Sequence, residues 1–291
     1  MRGSIVPVVT PFKDGIIDFN GLASLIEWQI KSGSHGISVQ GTTGEPSSLT
    51  LEERKDVIRT AASIVEGKVP FIPGTASTNH EESIELSRFA QSMGADALLL
   101  IAPYYSKPSQ EGIYLHFEAL AKCVEIPVIL YNIPGRTGVN IEIDTVARLK
   151  ENNENLIGVK ESNKDFEHIN RLLHRMGREF LVYSGIELLC YPILAIGGAG
   201  FVSATGNLMP REVAQLYNLV QEAKWLEAQD LHYKMMKLND AIFMEINPVP
   251  VKTALGMMGK ISPEVRLPLA PMSKKNCEKL RCILKDYGLN V

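Results

Sequence analysis

Short apolar runs recur along the chain at 5–9, 36–40, 69–73, 97–101, 127–131, 156–160, 180–183 and 200–204. Each has the length of a strand, and their near-continuous apolar character suits a sheet covered on both faces. Between them, at 19–31, 51–64, 81–93, 111–123, 143–149 and 211–223, apolar residues fall three and four apart, the spacing of an amphipathic helix. Thr50 and Glu53 stand at capping-box spacing at the start of one such stretch. Eight strand–helix alternations predict an α/β chain with a parallel sheet, and eight is the number that closes a (β/α)8 TIM barrel. No Gly-x-Gly-x-x-Gly follows the first run, which argues against a dinucleotide-binding sheet. From Trp225 the alternation stops, and 226–243, 249–258 and 274–287 read as helices punctuated by prolines. The expected organisation is a barrel over residues 1–224 and a small C-terminal helical extension over 225–291.

A barrel places its chemistry at the C-terminal ends of its strands. The polar and Gly-rich clusters fall there: Gly41-Thr42-Thr43-Gly44-Glu45, Pro103-Tyr104-Tyr105, the stretch Tyr131 to Gly138 containing Arg136, Lys160-Glu161, and Ser184-Gly185. Lys160 is the most informative of these. A lysine at a strand end can snorkel to solvent. One kept in a dry mouth is different, because desolvation disfavours an ammonium and makes a neutral, nucleophilic amine accessible. Convergence of Thr42, Thr43, Tyr105, Tyr131 and Arg136 on the same face favours the second reading.

Composition narrows the partners. The 291 residues are 45% hydrophobic and 22% charged, with net charge −3, and no Lys/Arg run marks a nucleic-acid surface. No apolar run approaches the roughly 20 residues of a membrane span, and the N-terminus lacks a signal-peptide core, so a cytoplasmic protein is expected. The four cysteines show no metal-ligand or C-x-x-C spacing and the six histidines are dispersed; no metal is expected. His116 is the only histidine near a candidate cluster.

These clusters resemble the signatures of the dihydrodipicolinate synthase / N-acetylneuraminate lyase family of class I pyruvate aldolases. Gly41 to Glu45, Tyr131 to Gly138, Gly158-Val159-Lys160-Glu161, Pro103-Tyr104-Tyr105 and Asn247-Pro248-Val249-Pro250-Val251-Lys252 all match in order. The resemblance implies a homotetramer built as a dimer of dimers, with pyruvate held as a Schiff base on Lys160 and no other cofactor. It implies that Tyr131 shuttles protons through Thr42 and Tyr105, the last entering the neighbouring subunit's site. Thr43 and the adjacent loop amides would hold the pyruvate carboxylate. The backbone carbonyls of Gly185 and Val202 would line the pocket. Arg136, in a Pro-Gly-Arg-Thr-Gly segment typical of the synthase branch, would grip the carboxylate of an acidic aldehyde. The leading expectation is condensation of pyruvate with L-aspartate 4-semialdehyde to 4-hydroxy-tetrahydrodipicolinate in lysine biosynthesis. The alternative is a retro-aldolase cleaving a carboxylated 4-hydroxy-2-oxo acid, such as 2,4-dihydroxyhept-2-enedioate, to pyruvate and an aldehyde.

Three departures from the synthase pattern are expected at the pocket rim: Pro46 after Glu45, the 198–207 segment with Phe201 and Gly206, and Ile186 in place of an Asp after Gly185. In lysine-inhibited relatives the effector site uses histidines and an Asn where this chain has Leu51, Arg54 and Thr78, so lysine feedback is expected to be weak or absent.

Overall fold

A computed structural model describes residues 1–291. Seven parallel strands follow one another around a curled sheet in the order Gly36–Ser38, Gly3–Pro7, Gly200–Val202, Leu181–Ser184, Leu156–Glu161, Val128–Asn132, Leu98–Ile101. The eighth stave is the expected run at 69–73, and it forms no regular strand. It joins its neighbours through single bridges, Ile37 with Phe71 and Gly74 with Leu99. Pro70 and Pro73 lack the N–H a ladder requires, so the remaining bonds carry the closure: Pro70 O accepts from Ile37 N at 2.9 Å, Ile72 N donates to Ile37 O at 2.8 Å, and Pro73 O accepts from Leu99 N at 3.0 Å.

Alternation along the strands sorts side chains into two layers. Ile5, Ile72, Leu99, Ile129, Tyr131, Tyr183 and Val202 fill the barrel interior. Val6, Leu98, Leu100, Val128, Leu130, Val159 and Val182 pack outward against the surrounding helices. The helix Leu51–Val65 starts with the expected capping box: Glu53 N donates to Thr50 Oγ1 and Thr50 N to Glu53 Oε2. Beyond the short turn Pro134–Thr137, the structure adds two helices to those expected, Phe166–Met176 and Cys190–Ala195. The first sets Ile169, Leu172, Leu173 and Met176 on its core face at helical spacing.

The C-terminal helices Trp225–Ala241, Val249–Met257 and Lys274–Asp286 return over the barrel. Lys252 is fully buried and its Nζ lies 2.6 Å from Glu45 Oε1. The amide of Arg266 donates to the other Glu45 oxygen at 3.2 Å, and its guanidinium pairs with Glu53. A two-residue hairpin, Phe12–Lys13 with Ile16–Ile17, slides beneath this junction. The Lys252 ammonium and the Arg266 guanidinium both lie over the Phe12 ring, at 4.1 and 4.5 Å. No helix is long and apolar enough to cross a membrane.

Candidate active site

Lys160 and Tyr131 occupy paired positions on adjacent strands, and alternation turns both toward the barrel axis. Lys160 is buried, with Nζ 3.9 Å from the centroid of the Tyr131 ring. Burial alone would raise the Tyr131 phenol. The Lys160 charge and the nearby Thr42 and Ser162 hydroxyls outweigh it and hold the phenol below its ordinary value. Ser162 Oγ is buried without a well-aligned hydrogen bond of its own.

Thr42 and Thr43 form a 3-10 turn, Thr42–Gly44, closed by Gly44 N to Gly41 O at 2.8 Å. The turn is bracketed by Gln40 and Glu45 in left-handed backbone, φ 58° and 53°. The first amides of such a turn have no partner within it. Thr43 Oγ1 accepts from Asn247 Nδ2 at 3.0 Å, so the C-terminal region closes one side of the site. A side chain at Gly185 would push its neighbours aside: a Cβ there would stand 2.0 Å from Ser162 Oγ and 2.8 Å from Lys160 Cε.

A cavity of about 60 Å³ is lined by Lys160, Tyr131, Thr42, Thr43, Arg136, Gly185 and Val202, with Glu187, Phe243 and Asn247 completing its wall. Seven of the eight expected site residues thus share one chamber. Thr42, Tyr131, Arg136 and Asn247 also border a larger outer cavity of about 210 Å³, walled by Glu45, Pro46, Tyr104 and Arg266. Arg136 stands at the junction, on the short Pro134–Thr137 helical turn, with Nη2 3.3 Å from Asn247 O.

Tyr105 is the exception. It lies in neither cavity, has φ 71° and is 93% exposed. His116 also lies outside both cavities, its Nδ1 3.0 Å from His80 Nδ1. Burial and the neighbouring His80 push it down to about 4.

Two expected rim differences lie elsewhere. Phe201 is fully buried beside Cys190, Leu194 and Val213, behind the sheet, because alternation sends Val202 inward and Phe201 outward. Gly206 is packed against Val6, where a Cβ would meet Cγ2 at 2.7 Å. Pro46 does border the outer cavity. The Arg54 guanidinium is committed to Gln40 Oε1, Gly74 O and Ala76 O, and burial lowers it to about 10.

Sequence reasoning missed Glu187 and Asn247 as wall residues. Asn247 heads a motif in the C-terminal region, and only the fold shows that this region covers the barrel mouth. Glu187 Oε1 accepts from Ala204 N at 2.7 Å, Thr205 N at 3.2 Å and Ser203 Oγ at 3.3 Å. Its burial raises it to about 7, those amides and the Lys160 charge opposing the rise.

The profile of the Dihydrodipicolinate synthetase family matches residues 1–287. A 4-hydroxy-tetrahydrodipicolinate synthase of Thermodesulfovibrio yellowstonii is 47% identical over 288 residues, 99% of each chain. Among solved structures, the dihydrodipicolinate synthase of Aquifex aeolicus superposes with a TM-score of 0.98 at 42% identity, covering 100% of this chain and 99% of that one. A chloride-inhibited dihydrodipicolinate synthase of Acinetobacter baumannii, complexed with pyruvate, gives 0.96 at 40% identity over 99% of both chains. With this barrel, this lysine–tyrosine pair and these matches across its length, the chain belongs to the dihydrodipicolinate synthetase family.

Proposed function

We propose that this chain is a Schiff-base lyase that condenses pyruvate with L-aspartate 4-semialdehyde to 4-hydroxy-tetrahydrodipicolinate. The observation that carries the reading is the enclosed chamber in which Lys160 lies against Tyr131. The synthase named above, similar over nearly the whole chain, supports the same reaction.

Lys160 Nζ attacks C2 of pyruvate, and loss of water leaves an iminium. Its positive charge acidifies the C3 methyl, and removal of one proton gives an enamine. The enamine carbon bonds to the aldehyde carbon of the second substrate, whose oxygen takes up a proton to become the product hydroxyl. Attack of that substrate's own amine on C2 closes the ring and frees Lys160. Each transfer needs a group within about 3 Å of the reacting atom. Tyr131 is the group on hand, and its lowered phenol makes it a better shuttle than an ordinary tyrosine. Thr42, bordering both cavities, leads the proton outward toward the partner subunit's Tyr105. Thr43 and the amides of its turn receive the pyruvate carboxylate. The carbonyls of Gly185 and Val202 complete the inner wall. Arg136, between the chambers, offers a two-pronged grip on the aldehyde's carboxylate.

The assembly in this reading is a homotetramer of tight dimers, cytoplasmic and independent of metal. Lysine exerts little control in this reading, because Leu51, Arg54 and Thr78 stand where lysine-inhibited relatives carry histidines and an Asn.

The test is incubation with pyruvate and borohydride followed by peptide mapping. A reduced pyruvate adduct on the Lys160 peptide is expected; a folded protein without one overturns the proposal. A panel of aldehydes in the forward direction and 4-hydroxy-2-oxo acids in reverse then identifies the second substrate. Preference for a 4-hydroxy-2-oxo acid would establish the retro-aldolase alternative, which the synthase relatives do not favour.

A further inference from the structure

Arg136 rides on a loop whose two ends are tied by one buried side chain. Asn132 ends the Val128–Asn132 strand one residue after Tyr131, and alternation turns it to the back of the sheet. It is wholly buried. Its Oδ1 accepts from Ile141 N at 3.1 Å, and its Nδ2 donates to Asn140 Oδ1 at 2.8 Å. The same Nδ2 donates to the buried Glu161 carboxylate at 3.0 and 3.1 Å. Glu161 follows Lys160 and also accepts from Asn163 N at 2.7 Å, while Asn163 Nδ2 donates to Asn140 Oδ1 at 3.2 Å. Gln110 grips the far end from outside, donating to Asn140 O at 2.7 Å and accepting from Glu142 N at 3.1 Å.

The geometry points to Asn132, Asn140 and Glu161 as a positioning clasp that fixes the Arg136 loop relative to Lys160, and so sets affinity for the second substrate. Within the loop, the single Thr137 hydroxyl hydrogen lies between the carbonyls of Ile133 and Val139, at 3.0 and 2.9 Å from Oγ1, and the short helical turn does the rest. These bonds shape the loop but do not attach it to the barrel. Attachment to the strands falls to the clasp, with Gln110 holding the far end to the neighbouring helix and Arg136 itself touching Asn247 O. A buried amide with all of its polar atoms paired is a strict geometric constraint, because leaving one unpaired is costly. The clasp lies behind the sheet, so it reaches substrate only through Arg136. It leaves the inner chamber untouched: Lys160, Tyr131 and Thr43 are held by the strand ladder, the Thr42–Gly44 turn and Asn247.

This inference rests on the assignment of Arg136 to the second substrate. The test compares Asn140→Ala with Asn140→Asp. Asn140 is only partly buried, so its truncation spares the core. The aspartate keeps an acceptor for Asn132 and Asn163; the alanine does not. For Asn140→Ala, the KM for aspartate semialdehyde is expected to rise about tenfold, with the pyruvate KM and borohydride trapping within twofold of the parent. Asn140→Asp should recover part of the loss, since it restores the acceptor but gives up the bond from Asn140 Nδ2 to Glu142 Oε1 and faces the Glu142 and Glu161 carboxylates. Amide exchange over 134–141 should quicken in the alanine variant, a readout independent of turnover. An unchanged aldehyde KM with unchanged exchange overturns the clasp, as does a parallel rise in both KM values. If exchange quickens while the aldehyde KM stays constant, the clasp holds the loop but has no bearing on the second substrate, and the proposal fails on that point. Absence of any pyruvate adduct in the parent protein instead defeats the assigned reaction.

Discussion

The space that a side chain at Gly185 would need is occupied by Lys160 and Ser162. Gly185→Ala is therefore expected to displace the lysine and abolish pyruvate trapping while circular dichroism shows a folded protein. Normal trapping in that variant would mean that Lys160 works from another rotamer. Glu187, across the same chamber, makes a pH prediction. Its folded value is raised from 4.5 to about 7 by burial, so the neutral carboxyl is the form that favours folding. That contribution is complete below about 4.5 and is lost as pH rises through about 7. Glu187→Gln keeps the acceptor and cannot ionise. Its melting temperature should fall less between pH 6 and pH 8 than that of the parent, and equal losses would refute the assignment.

At the scale of elements, the loop carrying Thr42 and Thr43 is bound to the C-terminal region by the buried Lys252–Glu45 pair. Burial lowers Lys252, and the Glu45 charge opposes that shift. Removing one member of such a pair strands the other. Lys252→Met should destabilise by about 3–5 kcal/mol in urea unfolding, and Lys252→Met with Glu45→Gln by distinctly less. Equal losses would show that packing, not charge, dominates there. The elements differ in how legible they were. Seven of the eight apolar runs became regular strands, since strand period and burial agree in them. The 69–73 run did not, because its prolines break the ladder that its apolar residues favour. The hairpin around Asp14-Gly15 is two residues per strand, too short for periodicity to register.

At the scale of the molecule, seven of the eight expected site residues meet because a parallel barrel sends every strand end to one face. Their clustering could be read from the sequence, since all but Val202, which the family resemblance supplied, end or follow an apolar run. The contribution of Asn247 could not, since it depends on how a helical segment packs over that face. Tyr105 remains outside the site of its own chain. A tyrosine 93% exposed on a left-handed turn is suited to entering a second copy. Tyr105→Phe should lower condensation turnover while leaving the sedimentation coefficient and the pyruvate adduct largely unchanged. Loss of the adduct in a folded variant would place Tyr105 in Schiff-base formation instead.

The Lys252–Glu45 bond joins residues 207 positions apart. Synthesis runs from the N-terminus, and domains begin to fold as they emerge. A nascent chain therefore acquires all eight staves well before it can neutralise the carboxylate beside its reactive loop. Until then Glu45 is an uncompensated charge and Thr43 lacks Asn247. The mouth of the barrel is completed only by residues made after all its staves, so a ribosome-stalled chain ending before residue 247 should present Lys160 in an unfinished pocket.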